Sequence, residues 1–371
     1  MSTAAATLAA EEQEMFRDSL RGLFARTASA AHTRDLIEGR GGDPQGTWTA
    51  IDRMLGLRAL PVPEDRGGQG FGWSGPGIAV EELGRTLYPV PYVAECVATR
   101  LLTRCDADAA GQILDSVVAG RTTVAAALGP PDRPGPVVAG RGAGWSVSGR
   151  TTPAVGVAEA DVVLVAAEID GEPHVLAVAT ADAEVTVVPT LDLTRPLATV
   201  DLDRTPARLL TDGCARRPIE DAYAFGGVAL ALEAAGGASR CLELAVEHVT
   251  GREQFGVVVG SLQAVKHLCA DLVRELEPVR SAAYGALAHA DAGSHEEFVE
   301  AASIAKLVAD RMYPRVAVEC IQLHGAMGFA WEHEVNLHYK RAVTNRALFG
   351  ESGYHKMIIS ERVRQLAAGH G

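Results

Sequence analysis

The spacing of apolar residues divides the 371-residue chain into three blocks. Residues 1–120 carry apolar positions at helical spacing, residues 121–216 carry short runs rich in Val, Thr and Ala, and residues 217–371 return to helical spacing. We therefore predict an α+β multi-domain fold. An N-terminal helical domain comes first, a middle β domain follows, and a C-terminal four-helix bundle closes the chain.

The individual elements follow from the same periodicities and from the Gly, Pro and Asp residues between them. In the first block, we predict helices over 8–30, 48–57, 78–86, 93–103 and 107–118, with a turn-forming stretch over 61–70. In the second block, we predict strands over 122–127, 144–149, 160–167, 174–179, 185–189, 197–202 and 207–210. In the third block, we predict helices over 218–249, 262–290, 298–323, 336–342 and 352–367.

Two features inside the long helices call for an explanation of their own. Gly236 and Gly237 lie in the middle of the first helix of the bundle, and their lack of a side chain predicts a close helix crossing. Pro314 lies inside the third helix, where its ring removes a donor and predicts a kink.

Two breaks between bundle helices are the candidate functional segments. Residues 250–256 read TGREQFG and residues 322–329 read QLHGAMGF. Both place polar side chains and glycines at helix ends, where backbone groups are free to meet a ligand.

Composition narrows the function classes. The hydrophobic content of 47% and charged content of 22% are ordinary for a soluble globular protein. The net charge of −13 argues against a nucleic-acid partner, which needs a basic surface. The six cysteines are scattered without metal-ligand spacing, which favours free thiols in a reducing compartment. The most apolar window, 224–235, is too short to span a bilayer, and residues 1–12 do not read as a signal peptide. We therefore expect a cytoplasmic protein without a membrane partner.

Two sets of short motifs carry a family resemblance. In the N-terminal block they are LGL at 55–57, PE at 63–64, GGQG at 67–70 and EELG at 81–84. In the bundle they are REQFG at 252–256, Gln263, and QLHGAMG at 322–328. Together with the order of the three blocks, these motifs resemble the acyl-CoA dehydrogenase family over essentially the whole chain. The resemblance implies that the middle domain is β-barrel-like.

The resemblance also implies FAD as cofactor, an acyl-CoA thioester as substrate and an electron-transferring flavoprotein as electron acceptor. In the family, a carboxylate removes a proton beside the thioester carbonyl while a hydride leaves for the flavin. That carboxylate usually precedes the last helix, where Phe349 stands here; some members carry it at the position that corresponds to Gly226. Glu351 is the nearest alternative, although an acid at a helix start is the reading we prefer. We expect Glu233, about two turns past Gly226, to be a charge on the bundle face.

The middle block departs from the family as well. Residues 126–132 read AALGPPD, where the family carries a flavin-wrapping Thr-Glu-Pro, and neither the later Gly-Ser-Asp nor the family Trp expected near 150–153 is present. The stretch DLTR at 192–195 is similar to a family segment near the ligand, but a turn with a surface arginine is an equal alternative.

The retained motifs are those that the family donates to the flavin of a neighbouring subunit. The residues that the resemblance assigns to that role are Arg252, Phe255, Gln263, Gln322, His324, Gly325 and Ala326. The chain is therefore similar to the base-lacking subunit of heteromeric acyl-CoA dehydrogenases of the sterol side-chain type, in which a homologous partner of a heterotetramer carries the base. Two alternatives stay open: a homo-oligomeric dehydrogenase that uses Glu351, and a non-enzymatic acyl-CoA- or partner-binding relic of the fold.

Overall fold

A computed structural model describes residues 10–131, 137–142, 144–254, 256–292 and 294–368. Within these residues, six α-helices come first, eight strands follow, and five α-helices with one small hairpin complete the chain. The predicted α+β architecture of helices, β domain and helical bundle is confirmed.

The N-terminal helices begin and end at recognisable signals. They are α1 Ala10–Thr27, α2 Ala30–Ile37, α3 Pro44–Leu55, α4 Ser74–Thr86, α5 Tyr92–Leu102 and α6 Asp108–Val118. Helix α3 shows the local logic: the Asp43 carboxylate accepts a hydrogen bond from the Gly46 N–H at 2.8 Å, Pro44 occupies the first helical position, and Gly56 ends the helix with a φ of 65°.

The middle domain is a single sheet that closes on itself. Its strands are β1 Val124–Ala127, β2 Val138–Arg141, β3 Trp145–Arg150, β4 Ala154–Val155, β5 Val162–Ile169, β6 Glu172–Ala179, β7 Glu184–Val188 and β8 Leu197–Leu209. Strands β5, β2, β3, β8 and β6 pair in a ring that returns to β5, which makes the domain barrel-like. Apolar side chains from these strands, including Val147, Val163 and Leu176, fill a core separate from that of the helices.

The C-terminal bundle is built around one long helix. Its elements are α7 Arg216–Gly251, the hairpin β9 Glu253–Gln254 and β10 Val257–Val258, α8 Gln263–Ala292, α9 His295–His324, α10 Glu334–Asn345 and α11 Ser352–Ala368. Helix α7 contacts α4, α5, α8, α9 and α10, so its middle is buried all round, and the N-terminal helices share its core. Neither α7 nor any other helix in the described part of the chain has the length and apolar character needed to cross a membrane.

The differences from the predicted elements lie mainly in short segments. The predicted helix over 8–30 is two helices, because Ser29 starts a new one by accepting from the His32 N–H. Strands β2 and β4 were not predicted, since four and two residues carry too little periodicity. The two strands predicted over 197–202 and 207–210 are one continuous strand, β8. Helix α9 continues through Pro314, and a kink there stays a prediction.

The predicted close crossing at the paired glycines is confirmed, and it joins α7 to α4. A methyl group on Gly236 would collide with the carbonyl oxygen of Glu81, and one on Gly84 would collide with the backbone of Glu233. The two helices therefore touch backbone to backbone through one glycine each. Gly237 has a different role, because it makes room for the hydroxyl of Tyr313.

We predict that Gly236→Ala destabilises the fold by about 1–3 kcal/mol, because the added methyl group must push α4 away from α7. Chemical denaturation of the two proteins measures the difference. Gly285→Ala on α8 is the matched control: nothing lies within 4 Å of its added carbon, so the change is neutral or stabilises by up to about 1 kcal/mol. Equal effects of the two substitutions would contradict the crossing.

Candidate functional site

The two positions at which the family resemblance expects a base meet in the structure. The Phe349 ring packs directly on Gly226, where even a methyl group would overlap its carbons. Tyr223 closes the contact from the side, with its ring centroid 5.7 Å from that of Phe349. An aromatic ring thus fills the space that a side chain from either position would share.

The backbone that carries Phe349 adopts an unusual conformation and is held there by buried polar groups. Its φ is +52°, a left-handed value that costs a non-glycine residue free energy. The Phe349 carbonyl accepts a hydrogen bond from His355 Nε2 at 3.0 Å, and the Ser303 hydroxyl lies 3.1 Å from His355 Nδ1. These contacts fix the imidazole and, through it, the carbonyl.

Lys306 adds a second support behind the same turn. Its Nζ lies 2.6 and 2.7 Å from the two carboxylate oxygens of Asp310 and 3.5 Å from the Gly350 carbonyl. Burial, together with the nearby Lys306 charge, lowers the pKa of His355 to about 4, so this ring is neutral at pH 7. The sequence analysis did not identify Lys306, Asp310 or His355, although an i,i+4 Lys–Asp pair within an apolar helix was a usable signal.

Glu351 lies exposed, directly before the first residue of α11. Its carbonyl accepts the Tyr354 N–H at 3.0 Å, so the residue stands where the first turn of the helix begins. Its place agrees with the reading as a helix-start acid.

The prediction that Glu233 is a charge on the bundle face is wrong. Its side chain is buried, and its carboxylate accepts hydrogen bonds from Arg195, Arg341 and Asn345. The surface-arginine alternative for 192–195 is wrong for the same reason, because Arg195 is buried as the partner of Glu233. Helical spacing could not reveal this burial, since α7 is covered on every side.

The network around Glu233 joins the β domain to two bundle helices. Arg341 on α10 donates to Asp192 at 2.5 Å and to Glu233 at 2.7 Å, so two cations face two carboxylates. Burial alone would raise the pKa of Glu233, but Arg195 and Arg341 outweigh it and hold that pKa below its ordinary value. The two arginine charges and the two carboxylate charges therefore cancel without a ligand.

The stretch that would wrap a flavin inside this chain is a buried apolar strand. Ala126, Ala127 and Leu128 are all buried, and alternate residues of β1 face the helical core and the barrel core. Leu348, directly before Phe349, packs against both cores. The described side chains on this side of β1 are therefore apolar and buried.

The residues predicted to serve a neighbouring flavin stand at the other end of α7. Arg252 follows the last residue of α7, Gln263 starts α8, and Gln322 lies in the last turn of α9; all three side chains are exposed. Within the described ranges, no protein group forms a hydrogen bond or ion pair with any of these three side chains. Gly325 ends α9 with a φ of 63°, and no atom lies within 4 Å of the position that a β-carbon would occupy. Ala326 is exposed beside it, and Phe255 lies outside the described residues.

His324 belongs to a group of three imidazoles not predicted from the sequence, called the histidine stack below, in which it is stacked on His248 at 30° and tilted against His333 at 60°. Its ring is buried and lies 4.8 Å from that of His248 and 4.3 Å from that of His333, measured between centroids. His248 lies on α7, and His333 directly precedes α10. The stack therefore joins the end of α7 and the start of α10 to the end of α9.

Comparison with known proteins places the chain in a family. Residues 10–120 match the acyl-CoA dehydrogenase N-terminal domain, and residues 219–364 match the acyl-CoA dehydrogenase C-terminal domain. The chain is 31% identical over 337 residues to acyl-CoA dehydrogenase IpdE2 of Mycobacterium tuberculosis. The aligned region covers 90% of this chain and 91% of that relative. The chain belongs to the acyl-CoA dehydrogenase family.

Two solved structures are similar over nearly the whole length. A variant of the Tcur3481-Tcur3483 steroid ACAD superposes with a TM-score of 0.86 at 25% identity, covering 96% of this chain and 99% of that one. The ChsE4-ChsE5 complex from Mycobacterium tuberculosis gives a TM-score of 0.83 at 23% identity, covering 99% and 98%. The second likeness concerns the fold alone.

The family generally binds FAD, and the two ends of α7 differ in how well they fit it. At the Arg252 end, a free guanidinium suits a diphosphate, two free amides suit polar groups, and a bare glycine admits close approach. At the Phe349 end, the described side chains are apolar: Ala126, Ala127 and Leu128 are buried, and the Phe349 ring packs on Gly226.

We predict that Glu233→Gln destabilises the protein by about 3–5 kcal/mol at pH 7, because two buried arginines then share one carboxylate. Denaturant unfolding measures the loss. Glu243→Gln is the control, since 51% of that side chain is exposed and its ion pairs are worth at most about 1 kcal/mol.

The difference in stability between wild type and Glu233→Gln depends on pH in a defined direction. Because the folded-state pKa of Glu233 is depressed, its contribution is complete above the ordinary glutamate value of about 4.3 and is lost as the pH falls through the folded value. The gap between wild type and Glu233→Gln should therefore narrow on acidification below about pH 4. A gap that stays constant would argue against the network.

Proposed function

We propose that this chain is one subunit of a heteromeric acyl-CoA dehydrogenase and that it completes the FAD site of a base-bearing, homologous partner. The observation that carries the proposal is the contrast between the Gly226 region of α7 and the C-terminal end of that helix. Phe349 fills the base position on Gly226, while Arg252, Gln263 and Gln322 are exposed and free of partners in the described protein.

The filled end argues against catalysis by this chain alone. A base must lie within hydrogen-bond reach of the substrate proton and must be able to accept it, and a phenyl ring can do neither. Glu233 is committed to two arginines, and Glu351 is exposed at the start of α11. The backbone at Phe349 is held by its hydrogen bond with His355, so the ring is fixed in its packed position.

The open end supports the role toward a partner. In this proposal, Arg252 supplies a fixed charge to the diphosphate, Gln263 and Gln322 orient polar groups, and Gly325 lets the backbone come close. The bound flavin supplies the hydride acceptor for the dehydrogenation. This chain contributes binding and orientation to that reaction, and the partner's carboxylate contributes the proton transfer.

The substrate class and the wider assembly rest on the relatives. An acyl-CoA thioester follows from the family, and a steroid-derived acyl group is supported by the similarity to the Tcur3481-Tcur3483 structure, a steroid ACAD. A two-component assembly is supported by the same Tcur3481-Tcur3483 structure, whose name joins two proteins. A heterotetramer, an electron-transferring flavoprotein as acceptor and a cytoplasmic location belong to the same proposal.

We predict that the chain purified alone is colourless or weakly flavinated, and that stoichiometric FAD and dehydrogenase activity appear on co-expression with a base-bearing relative. Flavin absorbance per subunit and turnover with a dye acceptor measure both properties. The control is the same co-expression with the partner's base changed to Gln, which should keep the flavin and lose turnover.

The competing functions give different results in the same experiment. Tight flavin and turnover in the lone chain, abolished by Glu351→Gln, would establish a homo-oligomeric enzyme instead. A chain that gains neither flavin nor activity with any partner, yet is stabilised against heat by an acyl-CoA, would be a binding relic.

We predict that Arg252→Ala weakens FAD binding to the complex about 10- to 100-fold, because it removes charge-assisted hydrogen bonds worth about 1.5–3 kcal/mol. Equilibrium dialysis or flavin fluorescence measures the dissociation constant. Arg274→Ala on α8 is the matched control, since that side chain is 81% exposed and pairs with Asp271, away from the candidate residues. Equal effects of the two substitutions would count against the assignment of Arg252.

A further inference from the structure

The histidine stack stands beside the residue proposed to meet the diphosphate. Arg252 follows His248 by one helical turn, and its N–H donates to the His248 carbonyl at 3.0 Å. His248 is half-buried at the outer end of the stack, while His324 is buried in its middle. The ring of His248 is therefore both near Arg252 and within reach of solvent.

Hydrogen bonds fix where two of the rings carry their protons. His324 Nδ1 lies 2.7 Å from the Cys320 carbonyl, an acceptor, so this nitrogen carries a proton. His333 Nδ1 accepts the Val335 N–H at 3.3 Å and starts α10, so this nitrogen is bare. A proton added to His333 at Nδ1 would abolish that cap.

His248 is the ring that can gain a proton at least cost. Among the described residues, no group forms a hydrogen bond with its nitrogens, so a further proton breaks no contact.

The surroundings disfavour a positive charge on the two outer rings, His248 and His333. Burial, His324 and Arg252 together lower the pKa of His248. Burial and His324 lower the pKa of His333, although Glu334 opposes them. The other charged groups facing the stack and its neighbours are Arg34 on α2, Glu332 before α10, Lys340 on α10 and Arg240, which pairs with Glu334.

We propose that His248 supplies a second positive charge to the dinucleotide site, and that it acquires this charge by taking up one proton from solvent when the diphosphate binds beside Arg252. This inference rests on the proposed function and deepens it. The diphosphate of a flavin dinucleotide offsets the Arg252 charge that disfavours the imidazolium, and it attracts the proton directly. Proton uptake and binding are then linked, and affinity rises as the pH falls.

The test uses the complex of this chain with a base-bearing relative, stripped of its flavin. Calorimetric titration with FAD at pH 7 in phosphate and in Tris, which differ in ionisation enthalpy, reports the protons taken up per flavin bound. We expect about 0.5–1 proton for wild type and a dissociation constant that falls by up to about tenfold per pH unit between pH 8 and pH 6.

Three variants separate His248 from other titrating groups. His248→Gln should bind FAD more weakly at pH 6 and take up almost no proton. His248→Arg carries a permanent charge, so it should bind without uptake and with little dependence on pH. His289→Gln on α8, 43% exposed and 3.8 Å from Glu297, should behave like wild type.

The outcomes distinguish failure of the role proposed for His248 from failure of the proposed function. If FAD binds the complex but His248→Gln takes up as many protons as wild type, the role of His248 is overturned and the proposed function stands. If FAD binds no complex of this chain with a base-bearing relative, both are overturned. Uptake that is lost in His248→Gln and kept in His289→Gln establishes the inference.

Discussion

The enclosure of the middle of α7 on every side is the constraint from which the rest of the molecule follows. A helix buried all round has no solvated face for charges and no free surface for a bulky neighbour. The buried carboxylate in its middle, Glu233, therefore stands in a network with Arg195, Arg341 and Asn345. Helix α4 approaches α7 backbone to backbone through glycines at 84 and 236. Because the network reaches into the β domain and α10, the same burial that forms the core also fixes how the three blocks meet.

Helix α7 separates two positions to which the family resemblance assigns a function, and the two positions lie in different chemical environments. Gly226 and Arg252 are 26 residues apart along a single helix, or about 39 Å at 1.5 Å per residue. One lies under an aromatic ring in the core, and the other follows the helix end at the surface. Their distance explains how a chain could lose the chemistry at the first position and keep the binding groups at the second. Each end is supported by its own neighbours, His355 and Lys306 at one and the histidine stack at the other.

Sequence patterns predicted the architecture because long helices and multi-strand domains repeat their signal many times. The order of the blocks and most of the long elements followed from periodicity alone, whereas an eight-residue helix and strands of two and four residues carried too few repeats. The motif residues were found through resemblance, and the structure shows three of them, Arg252, Gln263 and Gln322, exposed near helix ends. The burial of Glu233 and Arg195 could not be predicted, because their partners come from segments 38 to 150 residues away. His248 and His355 were missed for the same reason, since a lone histidine in a helix gives no sign of what faces it.

The left-handed turn at Phe349 has a bearing on how such a chain evolves. Restoring an acid at this position would place a carboxylate against Gly226 and the ring of Tyr223, and the buried cation behind the turn, Lys306, is already neutralised by Asp310. An uncompensated charge in such surroundings is costly, so the reversion lowers stability before any catalysis is regained. The neighbouring Leu348 and the apolar strand β1 would have to change as well before a cofactor could enter. Under the proposed function, an acid at this position would therefore need several accompanying substitutions before it could act, which would favour lasting association with another gene product.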